Sequence, residues 1–188
     1  MSLFLYAATN QNLEHRRAAL WELRKLDEER FVSILVDNLN AMPPTPKEPY
    51  WRSREAGLAN LVMETDDARA WKALLAAARR ADVGLRMELM NPMYYTYIGQ
   101  RQRKQRLEFV AAFLDDATVR DEKSDPTLFE GPYAGFTFPK MEVRNFAAMQ
   151  IACILHLSED PKPGWTSKEW TALREKVRAN LRREQSGE

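Results

Sequence analysis

The chain has 188 residues and a formal net charge of +1, with 45% hydrophobic and 29% charged residues. That balance excludes a disordered or fibrous polymer and a bulk polycation, and the length suits one domain, 1–188, or a segment of a longer chain. Seven glycines leave no Gly-rich phosphate loop, and one cysteine allows neither an internal disulfide nor a cysteine zinc cluster.

The opening residues 1–8 carry no positive charge ahead of their short apolar stretch, unlike a signal peptide. Helical periodicity then dominates. Leu13, Leu20, Leu23 and Leu26 share a face and predict a helix over 12–26. Phe31, Leu35, Leu39 and Met42 predict one over 28–41, and Trp51, Leu58, Leu61 and Val62 one over 51–64. Gly57 inside the latter costs about 1 kcal/mol against alanine, which implies close approach of a neighbouring helix. Trp71, Leu74, Leu75 and Ala78 predict a helix over 67–81. Val83, Leu85, Met87 and Leu89 then alternate with period two, which suggests a short hairpin with 94–98 across Asn91-Pro92, inside a long loop 82–100. Leu107, Val110, Ala111 and Leu114 predict 102–115. Val143, Ala147, Ile151, Ile154 and Leu155 predict 141–157, apolar nearly all round and so buried on several sides. Trp170, Leu173, Val177 and Leu181 predict a covering helix over 166–183. Asp27, Asp66 and Asp115/Asp116 stand before helical stretches as caps, and Thr166-Ser167-Lys168-Glu169 reads as a capping box. No stretch reaches the ~20 apolar residues of a membrane helix.

Aligned on an arginine, four segments repeat: those beginning Arg16, Arg54, Arg106 and Arg144, each followed by small or apolar residues three and four later. A period of about 40 residues builds helix pairs that bury their faces only by stacking. Here the chain resembles the HEAT-repeat family of α-solenoids, most closely over 141–152, where Val143-Arg144 precedes alanine pairs. The resemblance implies an all-α, right-handed solenoid of stacked antiparallel helix pairs with about seven main helices. In that family the Val-Arg helices line the concave face. It implies scaffolding rather than catalysis, although some HEAT-like proteins are DNA glycosylases and the groove of such a solenoid also suits a lyase.

Three long connections, 42–50, 82–100 and 117–140, fall at the same junction of the repeat and so at one edge. They carry Tyr50, Tyr94, Tyr95, Tyr97, Tyr133 and Phe136, aromatics suited to a partner surface. Alternation in an extended segment sets Tyr95 and Tyr97 opposite Tyr94, so at least one is expected to be exposed. Arg101, Arg103 and Lys104, with Arg106 and the preceding Arg79 and Arg80, form a basic cluster that could contact phosphates. Acids on the same helices argue for a solvated charged face instead. Cys153 and His156 share a face but lack two further ligands, and are read as core packing. No Gly-x-Ser-x-Gly turn is present, and paired aspartates read as caps rather than acid–base pairs. The expectation is a non-catalytic module binding another protein or another domain of its own chain. It needs no cofactor or metal, binds nucleic acid weakly at most, contacts no membrane, and is cytoplasmic by default.

Overall fold

The computed structural model describes residues 13–46, 54–94, 100–121, 138 and 140–186. Among them the chain is mostly helical: α1 (Leu13–Leu26), α2 (Glu28–Asn40), α3 (Arg54–Val62), α4 (Ala68–Arg80), α5 (Val83–Met90), α6 (Arg103–Ala111), α7 (Val143–Ile154) and α8 (Ser167–Ser186). A 3-10 turn, Asn91–Tyr94, follows α5. One antiparallel hairpin pairs β1 (Val119–Asp121) with β2 (Lys140–Glu142), Arg120 opposite Met141. The chain divides into two compact units, Met1–Leu85 and Arg86–Glu188.

In the first unit α2 packs against α1, α3 and α4. Its core side chains Phe31, Leu35 and Leu39 are buried with Leu20, Leu23, Val62, Leu74 and Ala78, so a stripe at helical spacing supplies each helix's inner face. Asp27 alone joins α1 to α2. Its backbone N–H donates to the Leu23 carbonyl at 2.7 Å, and its carboxylate accepts the Arg30 N–H at 3.0 Å. Asp67, one residue after the expected Asp66, caps α4 through the Arg69 N–H at 2.8 Å. Polar links tie the helices together at their ends. Arg24 pairs with Glu64 at 3.2 Å, Arg69 with Glu29 at 2.6 Å, and Arg80 donates to the Leu39 and Asn40 carbonyls that end α2. Hydrogen bonds from Arg69, helped by its positive charge, hold the Glu29 and Asp67 carboxyls below their ordinary range.

In the second unit α7 is the central helix, packed against α6, α8, the 3-10 turn and β2. Phe146, Ala147, Met149, Ile151 and Ala152 are fully buried on it, as its all-round apolarity requires. The Val143 and Arg144 N–H groups at its start donate to the Thr118 and Asp116 carbonyls. Its C-terminus closes in a Schellman motif: Leu157 N–H donates to Ala152 O at 2.9 Å and His156 N–H to Cys153 O at 3.1 Å, with His156 left-handed at φ 54. The capping box at α8 forms as its sequence dictates, with Glu169 accepting the Thr166 N–H at 2.6 Å.

All seven expected helices are present, and the structure corrects the reading between them. Residues 83–90 form helix α5, not a strand, and the hairpin lies at 119–121 and 140–142 instead of within 82–100. The alternation misled because Leu85, Met87, Leu89 and Met90 are all fully buried, so this short helix has no single apolar face. Its residue types, Leu, Met, Glu and Arg, favour helix over strand, and Asp82 caps it through the Leu85 N–H at 2.9 Å. The connections 82–100 and 117–140 are therefore partly structured. Met141 and Glu142, expected to open α7, belong to β2. Asp116 caps no helix: it accepts the Thr118 N–H at 3.0 Å and pairs with Arg86, anchoring the turn into β1. An added Cβ at Gly57 would meet open space, so no neighbouring helix explains that glycine.

Candidate functional site

A groove of about 570 Å³ lies between α6 and α8, lined by Arg103, Lys104, Leu107, Glu108, Ala111, Leu181 and Glu184. Its floor is set by the apolar stripes. Leu107 is buried, whereas Ala111 and Leu181, the outlying members of their stripes, remain half-buried along the groove. Trp170, Leu173 and Val177 are spent on the core of the same helix, which leaves Leu181 as the stripe's accessible end.

Charge at the rim is balanced. Arg103 on the first turn of α6 pairs with Glu184 of α8 at 2.5 Å, a contact across 81 positions of sequence. Lys104 and Glu108 are both exposed, and neither makes an ion pair among the described residues. Of the expected phosphate contacts, Arg103 and Lys104 therefore share this groove, with Arg101 exposed just ahead of α6. Arg106 does not join them. It is 2% exposed and donates to the Met93 carbonyl at 2.8 Å. Burial, helped by the nearby Arg103 charge, lowers its pKa from the ordinary arginine range. Arg106 is thus a structural tie between α6 and the 3-10 turn.

Of the expected partner aromatics, Tyr94 ends the 3-10 turn and is half-buried. Tyr50, Tyr95, Tyr97, Tyr133 and Phe136 lie outside the described residues. Phe138 from the same connection is buried edge-on against Trp170, with ring centroids 6.3 Å apart. Cys153 is half-buried and His156 exposed, so His156 is a helix terminator and not core packing. Among the described residues no group of three His, Cys, Asp or Glu side chains is placed to hold a metal ion, and no helix is long and apolar enough to cross a membrane. Reading the sequence along one helix missed Glu184 and Leu181 as site residues. The available signal was the last member of the α8 stripe, which lies beyond the residues needed to cover α7.

No protein-family model, curated protein or solved structure matches this chain.

Proposed function

We propose that this chain is a non-catalytic, HEAT-like helical-repeat module that holds a segment of another protein, or of another domain of its own chain, in the groove between α6 and α8. The groove's make-up carries the reading: an aliphatic floor of Leu107, Ala111 and Leu181 under a rim whose positive and negative side chains cancel. Such a surface suits a peptide's mixture of apolar and charged side chains, and its balanced rim offers a polyanion no net attraction. The repeat architecture is supported within the first unit. There α1 and α2, and α3 and α4, form consecutive pairs, and α2 packs on α4 as α1 packs on α3.

A random-peptide display library selected on the intact protein tests this reading. The selected sequences should lose retention on Leu181→Arg, which places a charge on a half-buried, non-core position. Failure to enrich any sequence, or equal retention by wild type and variant, would overturn it.

A further inference from the structure

We infer that the α6–α8 groove has one fixed wall and one that opens, the end of α8 being held to α6 by a single ion-pair clasp, Arg103–Glu184. The inference concerns the groove itself and stands independently of what the groove binds. The α6 wall is built into the core. Leu107, Phe109 and Val110 are buried, and Arg106 ties the helix to the Met93 carbonyl at 2.8 Å. The α8 wall starts equally firm. Trp170, Leu173 and Val177 are buried, Arg174 donates to Asn145 of α7, and Arg178 donates to the Leu114 carbonyl at 3.0 Å. Beyond Val177 no described residue of α8 is buried, and Leu181 is the helix's last apolar side chain. Arg182, Arg183, Glu184 and Ser186 are exposed. Among these described side chains, Glu184 alone makes a bond outside α8, to Arg103 at 2.5 Å.

A helix end that buries no apolar side chain opens locally at little cost, because few contacts besides its own backbone bonds resist. Fraying of a last turn is general. The tie across to another helix is what distinguishes this end. Arg103 stands on the first turn of α6, 81 positions away in sequence, and its guanidinium meets α8 only while the groove is closed. With the pair made, Leu181 and Glu184 complete the lining that Leu107 and Ala111 begin. With it broken, nothing among the described side chains holds the residues after Leu181, and the groove loses that part of its wall. A pair between partly exposed side chains is weak and screened by salt. The balance of closed and open wall therefore follows ionic strength.

Residue-resolved amide hydrogen exchange by NMR on the intact protein tests this without any ligand. Amides of 182–186 should exchange at least about tenfold faster than those of 170–177, which also serve as the control for global stability. Arg103→Gln leaves the sequence of α8 untouched. It should speed exchange at 182–186 by about twofold to fivefold, the range of an exposed ion pair, and leave 170–177 unchanged. Raising salt from about 0.05 M to about 0.5 M should move the wild type toward the variant and leave the variant where it is. Charge reversals Arg103→Glu and Glu184→Arg, singly and together, complete a cycle whose coupling isolates the pair from the effect of each charge on its own helix. Protection at 182–186 equal to that at 170–177 would show two fixed walls and overturn the inference. So would exchange indifferent to Arg103→Gln, or a cycle without coupling, since either leaves ordinary fraying and no clasp.

Discussion

Gly57 lies within α3, and open space surrounds the position a Cβ would take. Its backbone freedom in the unfolded chain is lost on folding with no packing in return. Gly57→Ala should therefore raise unfolding free energy in urea by about 0.5–1 kcal/mol, and an unchanged or lowered midpoint would show that the position needs glycine. Gln150 presents the opposite case. It is fully buried on α7, and neither atom of its amide has a hydrogen-bond partner among the described residues. Such an unpaired polar group typically costs about 1–3 kcal/mol, and the surrounding apolar helix must supply the difference. His156 likewise holds a left-handed conformation that glycine usually fills, in order to close the Schellman motif. For Gln150 and His156 the sequence shows the residue type but not its cost, because that cost depends on what lies around the residue.

Asp116 shows how an element is anchored by one side chain. Burial pushes its carboxyl upward, but hydrogen bonds from Thr118 and the Arg86 guanidinium outweigh this and hold its pKa below the ordinary carboxylate value. A carboxyl depressed on folding contributes stability that is present above its unfolded pKa, near 3.9, and is lost as pH falls through the lower folded value. Asp116→Asn should cost about 1–3 kcal/mol at neutral pH, and its difference from wild type should shrink to nothing in strong acid. A difference independent of pH in urea melts would locate the effect in packing instead. The seven expected helices were legible because apolar residues at helical spacing state both an element's type and its inner side. Helix α5 was not, since four buried residues in so short a span leave no clear period, and the Asp82 carboxylate that caps it shows itself only in the fold. The hairpin was illegible for another reason. Its strands are three residues each, and Val119 finds Glu142 only across a long stretch of chain.

At the scale of the whole molecule, charge is nearly balanced, and the groove repeats that balance locally with Arg103 and Lys104 against Glu108 and Glu184. Labelled duplex and single-stranded DNA should therefore bind weakly at low salt and be released near 0.15 M, roughly physiological ionic strength. Sub-micromolar binding at that salt, lost on substitution of Arg101, Arg103 and Lys104, would show a nucleic-acid protein. Half of the site was legible beforehand, as the basic start of α6. The acidic half comes from α8, which only the fold brings alongside. The Asp27 joint carries a consequence for how such a chain can vary in length. Each residue added to a helix turns the residues after it by about 100°. With Asp27 ending one helix and starting the next, an insertion there would swing Phe31, Leu35 and Leu39 away from the core they fill. Between α7 and α8, by contrast, residues 157–166 keep no helical register, and added length can be absorbed. Insertions and deletions among descendants of this sequence should therefore accumulate at that connection and be absent from the α1–α2 joint, which works as a fixed-length splice.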